Sequence, residues 1–121
     1  NEIFVFGSNL AGIHGASAAR TAKEKFGAQY GIGIGPTGRC FALPTKDEKL
    51  NILSLNYISF YLLEFENYIV ENPHLNFLVT EIGCGLAGYK PAQIAPLFWY
   101  STRFENVFLP QRFIDILSLE I

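Results

Sequence analysis

Gly83, Gly85 and Gly88, within the stretch TEIGCGLAGYKP (residues 80–91), spell G-x-G-x-x-G. This spacing suits one kind of chemistry. Glycine lets main-chain N–H groups come close to a phosphate, and a helix that follows turns the positive end of its dipole on the same anion. A second stretch of the same character, GSNLAGIHGA, holds Gly7, Ser8, Asn9, Gly12, His14, Gly15 and Ala16, with Ser17 next. His14 is the one histidine near either stretch, able to donate to a phosphate or to act as a base. Lys46, in ALPTK, opens the charged run KDEK, which is ordinarily a solvated loop, and Asp47 beside it is a carboxylate able to activate water. Cys84 lies among amides that would depress its pKa. No histidine is close to it in sequence, however, and a small packing residue is expected there.

Such groups need a scaffold. A chain of 121 residues, half hydrophobic, is enough for one domain (residues 1–121) and too short for two. A net charge of −2 with scattered Lys and Arg argues against a nucleic-acid groove. Cys40 and Cys84 have neither disulfide-framework nor zinc spacing, so a reduced, cytoplasmic setting is the simplest expectation. No His, Cys and carboxylate cluster stands at ligand spacing, and neither a metal nor a cofactor is expected. The opening NEIFVFGSN has no basic n-region or cleavage signature. The most apolar run, residues 50–70, is broken by Asn56, Ser59, Glu64, Glu66 and Asn67. That pattern predicts a buried helix rather than a membrane span.

The expected elements alternate. IFVF (3–6) reads as a buried strand, residues 16–26 as a helix stopped by Gly27, and QYGIGIGPTG as loop. RCFALPT reads as a strand ended by Pro44, and apolar residues from Ile52 to Ile69 recur every three or four positions as in a helix. NFLVTEI, PAQIAPLFWYST, NVFLP and QRFIDILS follow as strand, helix, strand and helix. The pattern predicts an α/β domain in three layers with a mixed, largely parallel sheet. Its ligands would sit beyond the carboxyl ends of the strands. Both glycine stretches leave a strand and enter a helix, so they should face one crevice, joined by a third loop at YGIGIG.

The topology of these residues does not lead one to expect a Rossmann domain. Its fingerprint belongs to the first strand–helix unit, and only about thirty residues follow Gly88. Glu105, the acid about 20 positions on, lies before the next strand rather than at its end.

With both loops placed, FVFGSNLAGIHGASAARTA, ALPTK, VTEIGCGLAGYKPAQIAPLF and NVFLP make the chain resemble a macrodomain, the ADP-ribose-binding α/β/α fold. It is similar in particular to the short macrodomain-like proteins of bacteria and their phages. The resemblance implies that Asn9 holds the distal ribose. It implies that Gly12, Gly15 and Ala16 form the turn over ribose and diphosphate, and that Gly83, Cys84, Gly85, Leu86, Ala87 and Gly88 close over the diphosphate. Lys46 matches the lysine with which a hydrolytic branch attacks the anomeric carbon, whereas Ala87 stands where that branch has an aspartate. The chain also starts after the strand whose aspartate binds adenine in many macrodomains.

The residues admit plainer roles as well. Asn9 can cap its own turn, Ser17 can be a small helix residue, and Tyr89 can either cover the ribose or pack. Three functions follow: binding of ADP-ribose or a close derivative, Lys46-dependent hydrolysis of ADP-ribose from a modified macromolecule, or sequestration of a cyclic or modified ADP-ribose signal. No membrane partner is expected. The high hydrophobic fraction is compatible with a homo-oligomer.

Overall fold

The computed structural model describes residues 1–118. Strand β1 (Glu2–Asn9) alternates its side chains between two buried faces, as a central strand must. Ile3 and Val5 enter one apolar cluster and Phe6 another. Four further strands complete the sheet: β2 (Gly35–Thr37), β3 (Cys40–Lys46), β4 (Asn76–Val79) and β5 (Val107–Phe108). Their order is β2-β3-β1-β4-β5, with only the β2–β3 pair antiparallel. This is an α/β fold on a mixed, mostly parallel sheet.

The helices follow the apolar periodicity. In α2 (Leu55–Glu71), Ile58, Leu62, Phe65 and Ile69 form one buried stripe, the face such a period presents to a core. The stripe packs on Phe41, Leu43 and Phe77 of the sheet. Ser54 caps the helix, its hydroxyl accepting from the Tyr57 amide at 3.3 Å. On the other cluster, Ala19 and Ala22 of α1 (Ser17–Phe26) meet Phe6, Cys40 and Ala42. The small side chains of Ala19 and Ala22 bring this helix close to β1. Gly27 ends it at φ 78°, as expected of a glycine stop. The last helices are α3 (Pro91–Ile94) and α4 (Gln111–Ser118), and Phe98 and Phe113 join the larger cluster between them. Among the described residues, no helix is long and apolar enough to cross a membrane.

Four expectations are corrected. β1 runs past Phe6, because Gly7, Ser8 and Asn9 still pair with Leu43, Pro44 and Lys46 of β3. The glycine-rich loop hides β2, a three-residue strand that, among the described residues, pairs only with β3. β3 does not stop at Pro44, since β2 reaches no further than Ala42 and the proline falls where that edge is unpaired. Finally, the helix expected over residues 91–102 is α-helical only to Ile94, and short 3₁₀ turns follow at Ala95–Phe98 and Tyr100–Arg103. Pro96 has no N–H to continue the α-helical ladder.

Candidate phosphate-binding site

A cavity of about 400 Å³ opens at the carboxyl ends of β1, β3 and β4. Both glycine stretches line it, as their positions after β1 and β4 require. The third loop does not. Gly33 packs behind the site, where a Cβ would stand 2.0 Å from the Asn9 carbonyl oxygen. Gly31 likewise backs Gly12, whose own Cβ would stand 2.3 Å from the Gly31 carbonyl carbon. YGIGIG is therefore a buttress for the first loop.

Asn9, still on β1, closes that loop. Its Nδ2 donates to the Ile13 carbonyl at 2.8 Å and its Oδ1 accepts from the Ile13 N–H at 3.0 Å. The chain then enters α1 through Ala16, which gives the helix no side-chain cap, and the first turn carries no acidic residue. The helix thus presents uncapped N–H groups beside the cavity. Lys23 and Lys25 stand at its far end, where they suit the macrodipole. Ser17 sits at φ 54°. That left-handed conformation costs a non-glycine residue roughly 1–3 kcal/mol.

The second loop is a set of tight turns after β4. Cys84 N–H donates to the Glu81 carbonyl at 3.0 Å, and Tyr89 N–H to the Gly83 carbonyl at 2.9 Å. Gly83 supplies φ 75° between them. The N–H groups of Gly85, Leu86 and Ala87 have no acceptor among the described residues, nor do those of Gly15 and Ala16 in the first loop. Successive free amides around a concavity form an anion-binding nest. Gly15 and Gly85 share a further property: neither has a left-handed φ, and a Cβ on either would meet nothing within 4 Å. The packing does not require glycine at these two cavity-lining positions.

Two charged side chains line the cavity, Lys46 and Glu81. Lys46 forms no ion pair among the described residues. Both Glu81 oxygens are taken by Arg112 of α4 at 2.6 Å. This guanidinium holds the carboxyl below its ordinary range, as a forked charge-assisted pair does. Glu81 is therefore a neutralised anion rather than a proton donor.

Cys84 departs from expectation. Desolvation first, and the Glu81 charge second, push its thiol pKa up rather than down, because both disfavour the thiolate. Burial pushes Cys40 up to about 11. Both thiols are protonated at neutral pH and poor nucleophiles. Iodoacetamide at pH 7.5 is expected to alkylate the folded protein more slowly than free cysteine. Intact-mass spectrometry against time checks this. Fast labelling at Cys84 would show a thiolate.

The structure thus gathers Gly7, Ser8, Asn9, Gly15, Ala16, Ser17, Lys46 and residues 83–87 around one cavity. It places the other four candidates elsewhere. Gly12 and Gly88, at φ 71° and 84°, shape their turns without lining the cavity. His14 is buried, its Nε2 bonded to the Gln29 carbonyl at 3.0 Å and its ring edge-on to Phe6, so it reaches no reacting group in the cavity. Tyr89 donates its hydroxyl to the Leu53 carbonyl at 2.7 Å and so ties the second loop to the segment before α2. Ile13, Thr45, Leu50, Thr80 and Glu81 also line the cavity. All but Leu50 fall within or beside a quoted motif, which is the signal that could have found them. Compared with known families, curated proteins and solved structures, the chain finds no match in any of the three.

Proposed function

We propose that this cavity binds the diphosphate of ADP-ribose or a close ADP-ribose derivative, in the manner of a macrodomain. The observation that carries the reading is the pair of acceptor-free amide runs on facing loops. Each contains a glycine, Gly15 or Gly85, whose missing side chain serves no packing purpose. Amides of this kind, a helix N-terminus and Lys46 together meet a diphosphate in a chain of net negative charge. The specific nucleotide comes from the motif resemblance, and the anion from the geometry.

Calorimetric titration with ADP-ribose, against NAD and AMP, tests this directly. Selective binding of ADP-ribose in the micromolar range is expected, and absence of binding refutes the reading. Lys46→Ala should weaken ADP-ribose by about 10- to 100-fold, the worth of one charge-assisted hydrogen bond at roughly 1.5–3 kcal/mol. Its melting temperature should barely move, because Lys46 makes no ion pair among the described residues.

Lys46 on the cavity wall also admits the hydrolytic reading, in which its amine displaces the macromolecule from the anomeric carbon and water then releases ADP-ribose from the lysine. That reaction lacks its acid. Ala87 has no proton to give, and Glu81 stays ionised against Arg112. Binding without turnover, including sequestration of a cyclic or modified ADP-ribose signal, fits these groups better.

A further inference from the structure

Most polar side chains lining this cavity already hold protein partners. Ser8 donates its hydroxyl to the Gly33 carbonyl, Thr45 to the Ser8 carbonyl at 3.3 Å, and Thr80 to the Val5 carbonyl at 2.8 Å. The Asn9 carboxamide holds both polar groups of the Ile13 main chain, and Glu81 is forked by Arg112. Lys46 and Ser17 remain, one a flexible point charge and the other a hydroxyl at the start of α1.

The mouth of the cavity is of another kind. Three large apolar side chains line it while staying open to solvent: Ile13 at 40 %, Leu50 at 46 % and Leu86 at 66 % exposure. They come from three different loops, those following β1, β3 and β4. Such side chains give a flat base contact area on its faces and bring no hydrogen-bonding groups of their own to its edge.

We infer that the site selects a ribose-linked diphosphate and tolerates exchange of the base attached to it. This rests on the proposed diphosphate site and narrows it to a ligand class, nucleoside diphosphate riboses irrespective of base. The magnitudes support the distinction. Apolar pockets separate similar ligands by only about 10- to 200-fold, whereas sites built from paired hydrogen-bonding groups separate them by roughly 10⁴- to 10⁵-fold. Guanine is the sharpest probe, since it has an acceptor where adenine carries its exocyclic amine, at nearly unchanged size.

The test titrates the whole chain with ADP-ribose, GDP-ribose and free adenosine. The expected result is ADP-ribose and GDP-ribose within about 200-fold of each other, with adenosine, which lacks the diphosphate, at least about a hundredfold weaker than either. An adenine preference of more than about 200-fold, beyond what apolar contact supplies, overturns the inference while leaving the diphosphate site standing. Failure of both diphosphates to bind overturns the site and the inference together. Leu50→Ala provides a second reading: it should weaken both diphosphates by the same factor, and a loss confined to ADP-ribose would show adenine-specific contact.

Discussion

Gly33→Ala is expected to destabilise the protein by about 3 kcal/mol or more, the upper range for forced overpacking. The added Cβ would lie 2.0 Å from the Asn9 carbonyl oxygen, 2.9 Å from its carbon and 3.0 Å from the Leu10 Cα. All three are main-chain atoms at the end of β1, and none can rotate away as a side-chain tip can. Asn9 is held in register with Lys46, and Leu10 N–H donates to the Lys46 carbonyl at 3.0 Å. Relief therefore requires breaking the β1–β3 pairing that positions the cavity floor. Gly31→Ala is the control. Gly31 has φ 91° and open space around its missing Cβ. The cost of alanine there is the left-handed backbone alone, about 1–2 kcal/mol. Urea unfolding of both variants checks the order. A Gly33→Ala protein as stable as the parent would mean that the third loop is not pressed on the first.

Gly85→Val is expected to do the opposite, leaving the fold intact and removing the ligand. A side chain at Gly85 meets nothing within 4 Å and the backbone is not left-handed. The change in stability should therefore stay below about 1 kcal/mol. The branched side chain would enter the cavity beside the free amides of residues 85–87. Displacing a diphosphate from one or two charge-assisted bonds, at roughly 1.5–3 kcal/mol each, weakens binding by about a hundredfold or more. Titration with ADP-ribose, beside a melting curve of the same sample, separates the two effects. Gly83→Ala shows the contrast within one motif. At φ 75°, with Ile94 Cδ1 3.0 Å from the added Cβ, it should lose stability first. Undiminished binding by Gly85→Val would place the diphosphate elsewhere.

Two of the three glycine stretches are legible as cavity walls because of what brackets them. Strands buried in the sheet, at Ile3–Phe6 and Phe77–Val79, announce themselves by continuous apolar runs, and ligand sites lie at their carboxyl ends. Lys46 is placed by the same logic, at the end of β3. The third stretch reads like the other two but leads into an antiparallel strand, and β2 carries too few apolar residues for its pattern to show. The role of Glu81 has no local signature at all, because its partner, Arg112, is 31 residues away.

The sequence by itself determined the α/β alternation, the buried stripe of α2 and the placing of two glycine loops at strand ends. Each of these depends on neighbours within a few residues: apolar period, capping residues, and glycine or proline as stops. Only the tertiary structure decided which glycines the packing requires and which line the cavity without any packing need. Gly12 and Gly33 exist for contacts with Gly31 and Asn9, whereas Gly15 and Gly85 face open space. The residue type is the same in all four. What separates them is the distance to main chain from another part of the sequence, which no local pattern records.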